Sequence, residues 1–169
     1  DRVAGLHSRS DWLIVGLGSA GVKVFALDLN NKAAGWQALA DFVGPAPSDP
    51  ATAVSGGALY VFSGAGNAAP DAASAIVLNT VSRYDPKADS WHVLDTTAPV
   101  GLLGASAVTL ADGRIVFFGG YNKRLFDKYL ADVTAIDKSI DPDRWHAVVS
   151  AFMGMAPQDY HWNDRVLVY

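Results

Sequence analysis

Three polar side chains lie in loops beside apolar runs of the chain, where they could meet a ligand. Asp49 precedes one such run, and Asn67 and Asn122 each follow one. Carboxylate and amide groups on loops that converge on a rigid scaffold are suited to hold a small polar molecule. The sequence therefore predicts Asp49, Asn67 and Asn122 as substrate-binding residues. For Asn122, the competing interpretation is a turn residue in the left-handed conformation.

A glycine-rich stretch has the spacing of a phosphate-binding loop. Residues Gly16–Gly21 fit the pattern G-x-G-x-x-G and follow an apolar run. A dinucleotide site also requires a helix that begins at the third glycine. The next residues alternate as a strand does, so the stretch is interpreted as a loop between strands. No nucleotide and no other cofactor is expected.

Histidine, cysteine and serine residues form no recognisable catalytic or metal-binding motif. Histidines occur at positions 7, 92, 146 and 161, and no two of them have the spacing of metal ligands. The chain contains no cysteine, which excludes thiolate nucleophiles, disulfides and thiolate-bound metals. No serine lies on the strand–turn–helix elbow of a nucleophile. The sequence predicts no catalytic residue and no metal ligand.

Composition and charge narrow the possible partners. Half of the 169 residues are hydrophobic and 18% are charged, which is typical of a folded domain. The net charge is −4 and no run of lysine or arginine occurs, so neither nucleic acid nor an anionic membrane surface is an expected partner. No apolar stretch approaches the roughly 18 residues of a membrane-spanning helix.

The scaffold that positions the loops is predicted from a repeat. Three apolar runs end in small residues or glycine, namely Leu13–Gly18, Leu59–Gly64 and Ile115–Gly120. Aligned on the last glycine they lie 46 and 56 residues apart, close to the period of kelch-type propeller blades. Each run is interpreted as the inner strand of one blade, buried on both faces.

The first two copies share a further pattern of strand, turn and strand. Val81–Asp85 alternates, a turn follows, and Trp91 begins the next strand. Val22–Asp28 alternates in the same way and leads to Trp36, 55 residues before Trp91. Because both tryptophans recur at the repeat period, we expect them to pack between neighbouring blades.

The third copy is interrupted by a predicted helical insertion at about residues 125–160. Apolar residues at helical spacing are Phe126, Tyr129, Leu130, Val133 and Ile136. Asp141 and Pro142 resemble an N-cap followed by proline at the first helical position. Trp145, Tyr160 and Trp162 are expected to cluster in this insertion and to cap an opening. A strand resumes before Tyr169, which takes the place of Tyr84.

The predicted fold is all-β, a fragment of a kelch-type β-propeller with a helical insertion in its third blade. Residues 1–50 form a remnant of the first blade, residues 51–97 the second, and residues 98–169 an incomplete third. These are about two and a half blades, whereas propellers close with about 4 to 8. We expect the chain to be a piece of a longer protein, with the remaining blades or a second copy covering its open edge.

A family resemblance follows from six stretches, and it covers nearly the whole chain. They are Gly16–Gly21, Leu59–Phe62, Tyr84–Lys87 with Ser90 and Trp91, Ala98 and Pro99 with Gly101, Phe118–Gly120 with Asn122, and Thr134–Lys138. The chain resembles the bacterial N-acetylneuraminate epimerases, the sialic acid mutarotases of kelch-propeller fold. The last stretch is the most specific, because generic kelch proteins need no helical insertion there. The resemblance covers about the first half of the family's six-bladed propeller.

The resemblance implies a periplasmic isomerase that exchanges the α and β anomers of N-acetylneuraminate, a small acidic sugar. Ring opening needs a base for the proton of the anomeric hydroxyl and an acid for the ring oxygen. The sugar carboxylate needs cationic or N–H donors, and Lys123 and Arg124 are the nearby cations. The glutamate thought to accept the proton in the family lies in the second half of the propeller, where no residue of this chain matches it. The fragment alone is therefore expected to be inactive.

Two departures from the family pattern keep a second hypothesis open. Ser48 stands where the family usually has an arginine, and Ala105 stands where it tends to have a histidine. These losses favour a non-catalytic kelch module whose loops bind a protein or a glycan. A copper-radical oxidase, another kelch enzyme, needs a cysteine crosslinked to tyrosine and is set aside.

Overall fold

The computed structural model describes residues 6–7 and 11–169, which form thirteen strands and two α-helices. The strands are β1 (Leu6–His7), β2 (Asp11–Gly16), β3 (Val24–Asp28), β4 (Trp36–Ala38), β5 (Ala51–Ser55), β6 (Ala58–Phe62), β7 (Ala65–Gly66), β8 (Ile76–Val77), β9 (Thr80–Asp85), β10 (Ser90–Thr97), β11 (Ser106–Thr109), β12 (Ile115–Phe118) and β13 (Leu167–Val168). The helices are α1 (Lys123–Thr134) and α2 (Pro142–Met153).

Three antiparallel sheets follow one another along the chain. Their strand orders are β1-β2-β3-β4, β5-β6-β9-β10 and β11-β12-β13, and β7 pairs with β8 separately. The helices lie between β12 and β13, which confirms a helical insertion in the third repeat. The described part of the chain is thus mostly β-sheet with two helices.

The three apolar runs form the second strand of each sheet, β2, β6 and β12, with a paired strand on either side. The expectation that they are the inner strands is wrong. The inner position belongs instead to the first strand of each sheet, since β5 directly contacts β11. Thr109 Oγ1 of β11 donates to the Val54 carbonyl of β5 at 2.7 Å. Ser55 Oγ likewise donates to the Gly113 carbonyl at 2.6 Å. All three runs are paired on both edges, and β6, which lies in the middle sheet, is also packed on both faces.

One register recurs in all three sheets. The equivalent pairs between second and third strands are Leu13–Leu27, Leu59–Tyr84 and Ile115–Tyr169. Ile115 and Tyr169 exchange two backbone hydrogen bonds of 2.9 and 2.8 Å. The prediction that Tyr169 takes the place of Tyr84 is therefore confirmed.

Trp91 is buried between the first and second sheets, as the repeat predicts. It is 6% exposed, its ring meets Phe42 edge to face at a centroid distance of 4.8 Å, and Nε1 donates to the Ala40 carbonyl at 3.2 Å. A second apolar cluster joins the second and third sheets, where the rings of Phe62 and Phe117 are 4.6 Å apart.

Trp36 is 49% exposed, so the expectation that it is buried between sheets, as Trp91 is, is wrong for the sheets that the structure describes. It pairs with Leu27 as Trp91 pairs with Tyr84. Side chains alternate between the two faces of a strand, and Ala26 faces the second sheet. Leu27 and Trp36 therefore lie on the opposite face of the first sheet, which no sheet of the described residues covers.

The last sheet has a matching uncovered face. Val108, Phe118 and Val168 are 47%, 48% and 56% exposed, and cross-strand pairing places Val108, Val116 and Val168 in one row. The stack of described sheets thus ends in an apolar face on each side.

The helix α2 begins where the sequence predicts, and α1 begins at Lys123, close to the predicted start at about residue 125. Asp141 caps α2 by accepting from the Arg144 amide at 3.1 Å, and Pro142 follows as the first helical residue. Asn122 caps α1 by accepting from the Leu125 amide at 3.2 Å. No helix among the described residues has the length and apolar character needed to cross a membrane.

Candidate functional site

Loops from successive sheets meet at one end of the stack, which we call the loop end. It comprises the segments before β5 and β11 and those after β2, β6 and β12, because β5 joins β6, and β11 joins β12, by a hairpin at the other end. The Gly18 amide donates to the Pro47 carbonyl at 3.3 Å, and the Gly104 amide donates to the Asp49 carbonyl at 3.0 Å. These bonds tie the loops of all three sheets together.

Each apolar run ends in a pair of residues with positive φ. The pairs are Leu17–Gly18, Ser63–Gly64 and Gly119–Gly120. Leu17 has φ 63° and ψ −163°, a region that is almost restricted to glycine. At Gly64, a Cβ would stand 2.7 Å from Pro47 Cβ and from the Ser48 carbonyl oxygen. The close approach of two loops therefore requires a glycine here.

Ser63 uses its hydroxyl to join three segments at the loop end. It is 1% exposed with φ 60°. Its Oγ donates to the Leu78 carbonyl at 2.5 Å and accepts from the Leu102 amide at 2.8 Å. The second sheet is thereby bonded directly to the loop that leads into the third.

Asp49 lies at the loop end, as the sequence predicts. It is exposed, has φ 47°, and occupies the position of Gly104 in the next repeat, where φ is 68°. It lines a cavity of about 110 Å³ between the first and second sheets, together with Leu17, Thr52 and Trp91. Its role as a ligand for substrate stays a prediction.

Asn67 lies apart from that cavity. It is exposed and lines a separate open depression with Pro45, Ala46 and Pro70. The structure therefore does not bring Asn67 and Asp49 into one pocket, and substrate binding by Asn67 stays a prediction.

Asn122 has extended backbone angles, φ −62° and ψ 117°, so the left-handed turn interpretation is wrong. Its side-chain oxygen serves as the N-cap of α1. The half-buried Asn122 directly follows Gly119–Tyr121, so it stays near the loop end, but one of its polar atoms already has a partner.

A lysine and an aspartate anchor α1 to the β7–β8 hairpin. Lys123 Nζ donates to the Val77 carbonyl at 2.5 Å and to Asp127 Oδ2 at 2.7 Å. Asp127 Oδ1 accepts from the Val77 amide at 2.6 Å. The ammonium of Lys123, one of the two expected cations, is thus engaged within the protein. The i, i+4 spacing of the pair was the available sequence signal.

Asn163 anchors the end of the insertion to the loops of the third sheet, a role that was not predicted from the sequence. Its Nδ2 donates to the carbonyls of Gly101 and Gly119 at 2.7 and 3.2 Å. Its backbone amide donates to the Gly120 carbonyl at 3.0 Å. Because Asn163 lies outside the repeat and its partners are distant in sequence, no local pattern predicts its hydrogen bonds.

Aromatic residues of the insertion form a cluster beside the loop end. Its members are Tyr121, Phe126, Tyr129, Phe152, Tyr160 and Trp162. Tyr160 and Trp162 stack with a centroid distance of 5.0 Å, as the predicted cluster requires. The prediction that Trp145 joins this cluster is wrong, because its ring lies under the Lys138 ammonium, 4.1 Å from the ring centroid.

Tyr84 and Asp89, which form a contact between the first two sheets, both have shifted pKa values. Burial, and then the hydrogen bond to Asp89, raises the pKa of Tyr84. The Ala40 amide at 2.9 Å and the Tyr84 hydroxyl at 2.7 Å lower the pKa of Asp89. Asp89 thus joins the Ala40 loop to the second sheet, which is a structural task.

The histidines do not form a reactive group in the described structure. His92 is exposed on β10, and its Nε2 lies 3.1 Å from Ser90 Oγ. The side chain of His7 lies outside the described residues. Among the residues that the structure describes, no three His, Asp or Glu side chains form a group able to hold a metal ion.

Consecutive antiparallel sheets of one register, joined at a common loop end, define a repeat protein built of blade-like sheets. The chain is similar to the solved structure of YjhT, with a TM-score of 0.79 and 30% sequence identity over 98% of this chain and 46% of that one. A family model described as N-acetylneuraminate epimerase matches residues 4–169. The chain belongs to the N-acetylneuraminate epimerase family.

Relatives that carry this name give the same result. The N-acetylneuraminate epimerase of Brucella suis is 58% identical over 155 residues, and that of Vibrio cholerae is 48% identical over 155 residues. The Yersinia pestis protein of the same name is 41% identical over 157 residues. The matches cover 92% to 93% of this chain but 40% of each relative. The chain therefore spans about 40% of the length of these curated relatives.

Proposed function

We propose that this chain forms the first half of a six-bladed kelch propeller that interconverts the α and β anomers of N-acetylneuraminate in the periplasm. The observation that carries the proposal is the continuous 58% identity to the N-acetylneuraminate epimerase of Brucella suis over 155 residues. The uncovered apolar faces of the first and third sheets support further blades, because Trp36 and Phe118 lie there half exposed. Burying such faces is the main source of stability in stacked repeats.

In this proposal the chain supplies binding groups while the remaining blades supply the proton acceptor. The exposed carboxylate of Asp49 accepts hydrogen bonds from sugar hydroxyls at the loop end. Arg124, exposed two residues after Asn122, offers a guanidinium to the sugar carboxylate. Ring opening and closure then need an acid and a base at the anomeric centre, and no residue of this chain is assigned to either role.

A non-catalytic kelch module that binds a protein or a glycan is the second candidate. It is favoured by the short side chains at two loop-end positions. The backbone of Ser48 forms a bridge with Ala65, with N···O distances of 2.7 and 2.8 Å, and its side chain is a hydroxymethyl group. Ala105 lies against Gly120, where a Cβ would be 3.2 Å from that of Ala105. In the resemblance, an arginine and a histidine stand at these positions.

NMR exchange spectroscopy of N-acetylneuraminate tests the proposal. The α-to-β exchange rate is measured with the 169-residue chain, with the Brucella suis epimerase, and with a chimera in which this chain replaces the corresponding 40% of that epimerase. We expect no acceleration by the chain alone and acceleration by the chimera. Catalysis by the chain alone would place the acid and base within it. An inactive, folded chimera beside an active Brucella protein would favour the binding module.

A further inference from the structure

We infer that Trp162 is a stacking platform for one face of a pyranose ring at the loop end of the third sheet, an inference that rests on the proposed function. Trp162 immediately precedes Asn163, whose three hydrogen bonds join it to Gly101, Gly119 and Gly120. The backbone at Trp162 is therefore held where the loop before β11 meets the loop after β12.

The indole ring is fixed by its neighbours before any ligand arrives. Its centroid lies 4.5 Å from that of Tyr121 and 5.0 Å from that of Tyr160, with an interplanar angle of 28° to the latter. Tyr160 is itself held, because its hydroxyl donates to the Phe152 carbonyl at 2.8 Å. A ring that is ordered in advance loses little conformational entropy on binding.

Trp162 nevertheless remains 43% exposed, and among the described residues no sheet and no cation covers its ring. The similar exposure of Trp36 results from the uncovered face of the first sheet, since Trp36 belongs to β4. Trp145 is covered by Lys138. Trp162 belongs to no strand of the described structure, so an open indole held rigidly beside the loops is available to a ligand.

Sugar rings match such a surface. The axial C–H groups of a pyranose carry small positive partial charges and pack against the negative face of an aromatic ring. The Trp162–Tyr121 pair contacts the loop before β11, because the Tyr121 ring lies 3.5 Å from the position of a Cβ on Gly104. The Gly104 amide in turn donates to the Asp49 carbonyl. Trp162 is thus linked through Tyr121 and Gly104 to the loop that carries Asp49.

Indole N–H signals in ¹H–¹⁵N spectra of the 169-residue chain provide the test. N-acetylneuraminate is titrated into the wild type, Trp162→Ala, Trp162→Phe and the matched control Trp145→Ala, each checked for a folded spectrum. We expect the Trp162 signal to shift. Trp162→Ala should weaken binding about tenfold, the factor equivalent to 1.4 kcal/mol. Trp162→Phe should retain most of the affinity, and Trp145→Ala should bind as the wild type does.

A parallel titration with neutral N-acetylglucosamine separates the platform from the proposed substrate. Shifts of Trp162 with the neutral sugar alone would support the platform and contradict an acidic-sugar function. Binding of N-acetylneuraminate with equal affinity to the wild type and Trp162→Ala would overturn the platform and leave the proposed function standing. No shift of Trp162 with either sugar would also overturn the platform.

Discussion

Replacing Ser63 should destabilise the protein in a way that depends on the replacement. Ser63→Ala removes the hydroxyl that serves the Leu78 carbonyl and the Leu102 amide, both at a buried site. Each of these two buried polar groups costs about 1–3 kcal/mol when it is left without a partner, so we expect a loss of about 2–6 kcal/mol of unfolding free energy. The unfavourable φ of 60° is kept in this variant.

Ser63→Gly loses the same hydrogen bonds but removes the steric cost of the left-handed backbone. That cost is roughly 1–2 kcal/mol for a residue with a Cβ. Glycine also gains entropy in the unfolded chain, which offsets about 0.5–1 kcal/mol of the relief. We therefore expect Ser63→Gly to be no less stable than Ser63→Ala, and to be more stable by up to about 1.5 kcal/mol.

Urea unfolding followed by tryptophan fluorescence measures both variants, because Trp91 is buried in the native state. Hydrogen exchange at the Leu102 amide gives an independent readout and should accelerate in both variants. Exposed Ser19 lies at the same loop end, and Ser19→Ala should stay within about 0.5 kcal/mol of the wild type. If Ser63→Ala matched the wild type in stability and in Leu102 exchange, the bridge inferred for Ser63 would be refuted.

Two further predictions concern Asp89, which joins the first two sheets, and Gly101, which packs against Val77 of β8. The pKa of Asp89 is lowered in the folded state by the Ala40 amide and then by the Tyr84 hydroxyl, so its contribution is present above the unfolded pKa of about 4 and is lost as pH falls. Urea midpoints measured from pH 6 to pH 2 should therefore fall less steeply in Asp89→Asn than in the wild type, and parallel curves would contradict this. Gly101→Ala would place a Cβ 2.5 Å from Val77 Cγ1, so we expect a loss of about 1–3 kcal/mol. The same urea assay measures it, and a wild-type midpoint would show that the contact relaxes freely.

Much of the fold follows from local patterns along the chain. The glycine-ended runs correctly indicate three repeated sheets, and apolar spacing with the Asp141–Pro142 cap indicates the helical insertion. Tyr169 also takes the predicted register opposite Ile115. These features depend on neighbours in sequence or on the period of one repeat, so the residues themselves carry the signal.

Local sequence patterns predict less well which loop residues come together at the candidate site. Asn67, Asp49 and Asn122 were grouped because each adjoins an apolar run, yet Asn67 and Asp49 line different depressions and Asn122 caps a helix. Position beside a strand end does not specify which way a loop turns. That direction follows from contacts such as the bond between the Gly104 amide and the Asp49 carbonyl, which join residues far apart in sequence.

The sequence by itself therefore determined the repeat, the insertion and the family resemblance that the comparisons confirm. The tertiary structure alone decided that Trp91 is buried while its counterpart Trp36 is open, because burial depends on which sheet lies opposite a face. It also decided that Asn163 holds the insertion and that Trp162 stays exposed beside it. These outcomes depend on distances between segments that only the folded chain brings together.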